Sequence, residues 1–157
     1  MVLKIQKAQI KDIGIVMSLN KKLFDYEISN NFDTTLNERW AEKNKNYFKE
    51  RVIRANHLTL IAIVEGKTVG YLIGGVGKPE NYRTLKRIAE LENMIVLPEH
   101  RGQKIGEALV KEFLRWVKTK KVKRIKVVAT ARNKRAIEFY KKLGFFEHNL
   151  TLEQDLS

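Results

Sequence analysis

Cysteine is absent from the 157 residues and proline occurs twice. No apolar run approaches the ~18 residues that a membrane-spanning helix needs. Without thiols there is no disulfide, no thiolate zinc site and no cysteine nucleophile, and the composition fits a reducing compartment. The opening MVLKIQKAQI lacks the sustained apolar core of a signal peptide. These absences predict a cytoplasmic protein with no membrane association. Acidic residues are also scarce, with 18 Asp and Glu against 31 Lys and Arg, a formal net charge of +13. Such a balance points either to an anionic partner or to a lysine-rich solvated surface, and charge alone does not choose.

Several sites of known chemistry are missing as well. There is no GxxxxGK[ST] loop and no GxGxxG after the first strand, which argues against a nucleotide hydrolase and a dinucleotide dehydrogenase. His57, His100 and His148 lack metal-ligand spacing, so no metal site is expected. Ser18, Ser29 and Ser157 have no nucleophile elbow around them. The basic run KTKKVKR, Lys118 to Arg124, contains no aromatic for base stacking and falls where a helix ends, a place that suits cations. It reads as a solvated helix end, so nucleic acid is disfavoured as a partner.

What is present is an orderly alternation of patterns. LKIQKA alternates as a short strand, and IKDIGIVMSLNKKLF carries a helical apolar stripe through Ile13, Val16, Met17, Leu19 and Leu23. DYEISNNFDTT reads as a mobile connection, followed by a second helix in TLNERWAEKNKNYFKERVIRA. LTLIAIV and TVGYLIGGV, joined by EGK with Gly66, form a hairpin. IAELENMIVL is a fourth strand halted at Pro98, HRGQKIGEALVKEFLRWVK a helix, and RIKVVAT a fifth strand. NKRAIEFYKKLG is a short helix with Asn133 as N-cap and Gly144 as its left-handed stop. FEHNLTLEQDL, alternating Phe146, His148, Leu150 and Leu152 with polar residues, is a final strand. The pattern predicts one mixed α/β domain over residues 1–157, antiparallel in its first half, with a parallel crossover over the third helix.

The turn at HRGQKIG sits between a strand and a helix, so several backbone N–H groups lack helical partners there. With the positive end of the helix dipole they make an anion site, and Arg101 and Lys104 add charge. By itself this is also how an ordinary helix begins. Together with MIVLPEHRGQKIGEALV, the downstream ARNKRAIEFYKKLGF and the spacing between them, the chain resembles the GNAT superfamily of acetyl-CoA-dependent N-acetyltransferases.

The resemblance implies a mixed, mostly antiparallel sheet of about six to seven strands, with helices on both faces and a V-shaped splay between strands four and five. The pantetheine arm of acetyl-CoA would lie in that splay, against main-chain groups of Met94, Ile95 and Val96. The pyrophosphate would be wrapped by Arg101, Gly102, Gln103, Lys104, Ile105 and Gly106, and Asn133 would touch the CoA arm. The family pattern has glycine where this chain has Lys104. A left-handed backbone there would be costly for lysine, whereas a helical one would forfeit only closeness of approach.

The implied reaction moves an acetyl group directly to a primary amine, on a small molecule or a protein N-terminus or lysine. An amine of pKa ~10.4 must first lose a proton, and a carboxylate can take it. Glu90 and Glu92 precede Met94 on the fourth strand, and period two puts all three on one face. The resemblance favours Glu90 as the base, while either glutamate alone reads equally as a solvent-facing carboxylate. A backbone N–H near Val96 would steady the thioester oxygen. The family commonly has a tyrosine general acid where this chain has Tyr140, and the alternative is a core aromatic beside Phe139. Two other readings stay open: a basic nucleic-acid-binding module, and a non-catalytic CoA-binding sensor of the same fold. A homodimer is also left open.

Overall fold

A computed structural model describes residues 1–157. The sheet grows from period-two segments that alternate across two apolar layers. β1 (Leu3–Lys7) pairs antiparallel with β2 (His57–Val64), β2 with β3 (Lys67–Gly77), and β3 with β4 (Ile88–Val96). Glu65 and Gly66 both take positive φ in the two-residue β2–β3 turn, which matches the right-handed twist of the strands it joins. β5 (Ile125–Val127) adds in parallel to β4, giving the order β1-β2-β3-β4-β5.

Two helical layers cover the sheet. On one face lie α1 (Ile13–Ser29), α2 (Trp40–Lys43) and α3 (Lys45–Ile53), burying Val16, Leu19, Phe48, Ile61, Tyr71, Ile73 and Ile95. On the other lie α4 (Ile105–Thr119), which buries Ile105, Leu109, Phe113 and Val117 against Leu72, Ala89 and Leu91, and α5 (Lys134–Lys142), which contributes Phe139 and Tyr140. No helix is long and apolar enough to cross a membrane.

Four expectations change. The sheet has five strands rather than six to seven, because residues 145–157, read as a final strand, form no ladder. β5 is confined to three residues of the longer apolar run. α1 continues through DYEIS into the segment read as a connection. The second predicted helix is two pieces, broken at Asn44, whose φ of −127° and ψ of 41° leave the helical region while its side chain donates to Trp40 O.

One feature of β4 arranges everything that follows. Ile73 stands opposite Asn93, and the next residue, Gly74, opposite Leu91, so Glu92 is an extra residue with no partner. This β-bulge shifts the alternation by one. Leu91 and Met94 consequently both pack under α4, while Asn93 and Ile95 face α1 and α3. The expectation that Glu90, Glu92 and Met94 share a face therefore fails, since Met94 turns to the opposite side. β4 is bonded to β5 only over Ala89–Leu91, and from Glu92 to Val96 that edge has no strand partner. The two strands thus splay where the sequence led us to expect it.

Candidate active site

The turn at RGQKIG, read from the sequence as a phosphate cradle, takes its shape from the backbone. Pro98 opens a 3-10 turn, Pro98–His100, and Arg101 leaves it in extended conformation. Gly102 and Lys104 then take φ of +77° and +64°, reversing the chain into α4. The first amide of α4 to bond within the chain is Ala108, to Lys104 O, and none of the amides from Gly102 to Glu107 donates to any group of the protein. Consecutive free N–H groups at a helix start form an anion-binding concavity. Lys104 thus occupies the left-handed conformation that favours glycine, so the strain argument applies.

Two other residues of the motif make contacts within the protein. Arg101 Nε donates to Val96 O at 3.1 Å, and its guanidinium lies 4.5 Å from the Tyr26 ring centroid on α1. It therefore ties the end of β4 to α1. At Gly106 an added Cβ would meet the Phe139 ring at 3.2 Å and Met94 at 3.6 Å, so this glycine lets α5 approach the first turn of α4. Beside the loop, an open cleft of about 340 Å³ between α1 and the end of β4 is lined by Tyr26, Ile95, Leu97 and Arg101 among others. A larger cleft of about 570 Å³, around Lys7–Lys11 and Val52–Ile53, includes none of the predicted residues.

The two glutamates turn out to be unequal. Glu92, carried outward by the bulge, is clamped by Arg51, whose Nη2 lies 2.9 Å from its Oε1. His57 Nε2 stands 3.8 Å from the other oxygen, and burial lowers the His57 pKa. Behind Glu92 runs a directed chain of hydrogen bonds. Asn20 Nδ2 donates to Tyr71 Oη, Tyr71 Oη to Asn93 Oδ1, Asn93 Nδ2 to Tyr47 Oη, and Tyr47 Oη to Glu92 Oε1. Each amide fixes which way the next hydroxyl points, so the dipoles converge on the carboxylate. Burial, with the Glu92 charge second, pushes Tyr47 up to about 12, and burial raises Tyr71 too. Both phenols therefore remain protonated donors at neutral pH.

Glu90 lacks such a clamp. Its strand neighbours Ala89 and Leu91 are buried under α4, so it emerges on the α3 side with Glu92. Its nearest cation is Lys126 of β5, at 3.9 Å. Burial, opposed by Lys126 and reinforced by the Glu92 charge, raises its pKa. A half-buried carboxylate with a raised pKa and no hydrogen bond to hold it suits proton abstraction better than one locked in a bidentate pair.

Tyr140 is reached from a third direction. Asn133 caps α5 through the Ala136 amide at 3.1 Å, as expected, and Gly144 stops that helix at φ +97°. Asn133 is also bound by Glu27 of α1, which accepts from its Nδ2 at 3.3 Å and from Thr130 Oγ1 at 3.1 Å. Burial, with the Glu27 charge second, raises the Tyr140 pKa well above that of a free phenol. Tyr140 packs edge-on against both Phe139 and Phe145, so its ring is held by the core.

Sequence reading missed Arg51, Tyr47, Asn93, Asn20 and Glu27. Three of them left a trace: Tyr47 and Arg51 stand one helical turn apart, and Asn20 is a polar residue beside the apolar stripe of α1. Glu27 left none, because its partners are more than a hundred residues away. Phe24 and Trp40 stack in the α1–α3 layer, whereas Tyr82 is fully on the surface.

The acetyltransferase (GNAT) family profile matches residues 25–145, and the chain belongs to that family. An uncharacterized N-acetyltransferase of Methanocaldococcus jannaschii is 32% identical over 110 residues, covering 70% of this chain and 47% of the relative. Another, of Archaeoglobus fulgidus, is 30% identical over 99 residues, covering 61% of this chain and 65% of the relative. The chain thus spans between about half and two-thirds of the curated relatives it matches. Among solved structures, a mutant of a Bacillus halodurans protein superposes with a TM-score of 0.84 at 22% identity, covering 100% of both chains. The aminoglycoside acetyltransferase AAC(6')-Iy, in complex with a CoA bisubstrate analog, gives 0.78 at 16% identity and 100% coverage of both. A predicted acetyltransferase of Clostridium acetobutylicum with acetyl-CoA gives 0.76 at 20% identity, covering 98% and 96%. At these identities the structural likeness concerns the fold. No group of three or more metal-type side chains converges in this one.

Proposed function

We propose that residues 1–157 form one catalytic unit that transfers the acetyl group of acetyl-CoA directly to a primary amine. The observation that carries this reading is the run of unbonded amides from Gly102 to Glu107, next to the unpartnered edge of β4 from Glu92 to Val96. The amides and the Lys104 ammonium suit a diphosphate, and the free edge of Met94–Val96 suits the amides of a pantetheine arm. Neighbours solved with CoA or acetyl-CoA support the same cosubstrate.

In this reading Glu90 takes the proton of the incoming ammonium, directly or through a water. The freed nitrogen lone pair forms a bond to the thioester carbon, and the carbon–sulfur bond breaks. A main-chain N–H near Val96 faces the oxygen that gains charge. Tyr140 gives its phenolic proton to the departing thiolate, and the phenolate regains one, through solvent, as the nitrogen sheds its second proton to become the amide. Glu92, fixed by Arg51 and Tyr47, holds charge and shape on the acceptor side while Glu90 cycles its proton.

The test is calorimetric titration with CoA, followed by thiol release from acetyl-CoA with a panel of amines and mass analysis of the product. Aminoglycosides belong in the panel because of the neighbours, beside polyamines, amino acids and peptides. Micromolar CoA binding and a product heavier by one acetyl group are expected. Absence of CoA uptake, with salt-sensitive oligonucleotide binding in its place, overturns the proposal.

A further inference from the structure

A lysine amine stands beside the unclamped carboxylate of β4. Glu90 and Lys126 are direct partners in the parallel β4–β5 pairing, so their side chains leave the sheet on the same side. Ile125 and Val127 pack on the α4 layer, which turns Lys126 to the face of Glu90. Its Nζ lies 3.9 Å from Glu90 Oε1 and 4.0 Å from Glu80 Oε1. Neither contact is short enough for a hydrogen bond, so charge alone holds the ammonium there. Elsewhere in the chain Lys21, Lys111 and Lys141 sit 2.7 to 3.2 Å from their carboxylates. The Lys126 side chain is 38% exposed, and its flexible four-carbon stem leaves the amine free to swing.

Position along the sheet matters as much. The bonded part of β4 and β5 ends at Leu91 and Val127, one residue beyond this pair. The splay therefore has its vertex just past Glu90 and Lys126. The unbonded amides of Gly102–Glu107 lie at the opposite end of the free edge, past Val96. An acetyl-pantetheine arm anchored there runs along the edge with its thioester end directed toward the vertex. The amine and the base that flank this vertex are Lys126 and Glu90.

We propose that Lys126 is a modification site, acetylated by the chain's own active site when acetyl-CoA is bound and no acceptor amine is present. The inference rests on the acetyl-transfer reading above. The Lys126 ammonium passes one proton to Glu90, and the freed lone pair bonds to the thioester carbon. The carbon–sulfur bond breaks, and the thiolate leaves as the CoA thiol with a proton from Tyr140. The nitrogen sheds its second proton as the amide forms, and the phenolate regains one through solvent. The products are an acetylated Lys126 and free CoA. The new amide carries no charge, so Glu90 loses its nearest cation and Glu80 is left with Arg83, at 3.9 Å.

The test is to mix full-length protein with acetyl-CoA and no added amine, then digest it and map the acetyl groups by mass. Lys126 is expected to be acetylated first, with a rate constant independent of protein concentration, as an intramolecular step requires. Lys126→Arg keeps a cation between Glu80 and Glu90, so CoA affinity by calorimetry should stay unchanged while the fast acetylation disappears. Glu90→Gln is expected to slow acetylation of Lys126 by roughly a hundredfold and leave that of the exposed lysines as it was. Acetyl already present on Lys126 after purification, and missing from Glu90→Gln, supports the proposal equally. Acetyl spread evenly over the lysines, a rate that rises with protein concentration, or a Glu90→Gln variant modified as fast as the wild type overturns it. Lys126 left bare in protein that binds CoA and acetylates an added amine overturns this inference alone. A protein that takes up no CoA overturns the acetyl-transfer reading with it.

Discussion

Glu90 is a carboxylate whose ionised form the fold disfavours, through burial first. Its pKa is raised in the folded chain, so the folded state holds its proton more tightly than the unfolded state does. The stabilisation this brings is full below the unfolded pKa of about 4.3 and is lost as pH rises through the folded value. Glu90→Gln is therefore expected to raise the thermal midpoint at pH 7 while lowering kcat by roughly two orders of magnitude, the usual size of general-base catalysis. Melting curves and the pH–rate profile check it. The wild-type acid limb should lie above the ordinary carboxylate range and disappear in the variant. A lower midpoint with unchanged kcat would make Glu90 a structural residue and remove it from the mechanism. Lys104 shows the complementary case. Its left-handed backbone costs a residue with a Cβ, so Lys104→Gly should stabilise the fold by about 0.5–1 kcal/mol in denaturant titrations. CoA affinity should stay within a factor of ten, as glycine keeps the amides in place and loses one ammonium.

Among the elements, β4 decides the layout through its bulge. The extra residue lets Glu92 reach Arg51 on α3 while its neighbours keep both apolar layers filled. Gly74, opposite the shift, leaves room for the ring of Phe113 from α4, and an added Cβ would also lie 2.7 Å from Glu90 O. Gly74→Ala should therefore cost about 1–3 kcal/mol by overpacking and displace Glu90. Urea unfolding measures the first effect, and a fall in kcat with little change in the KM for acetyl-CoA measures the second. α1 acts at the same scale. Its last turn is pinned to the turn before α4 by Tyr26 and Arg101, and to the start of α5 by Glu27, Thr130 and Asn133. It therefore bridges the mouth of the splay between β4 and β5.

For the whole molecule, the proposed function and a net charge of +13 together predict electrostatic capture of a polyanionic cosubstrate. The KM for acetyl-CoA should rise several-fold between low and physiological salt, with kcat nearly constant, because only association is screened. Salt-independent kinetics would confine the charge to solubility.

How much of this was legible depended on the range of the interactions. The hairpin, α4, the caps at Asn133 and Gly144 and the turn at Arg101–Gly106 were all readable, because each is decided by residues within one or two turns of chain. The bulge at Glu92, the break at Asn44 and the unpaired segment after Phe145 were not, since period-two and helical spacing are averages that pass over a single irregular residue. The Glu27 and Arg51 contacts were hidden for a related reason. A carboxylate on a helix surface looks solvent-exposed until the fold brings a distant amide or guanidinium against it.

Local backbone preference and apolar periodicity thus determined, from the sequence by itself, the order of strands β1–β5 and the parallel crossover, while the motifs around RGQKIG and NKRAIEFYKKLG carried the resemblance to the family. Only the tertiary structure separated the two glutamates into one clamped and one free to titrate, and only it left a strand-like segment without a strand to join. The physical reason is that pKa values and edge pairing are properties of surroundings, assembled from residues whose separation along the chain carries no signal.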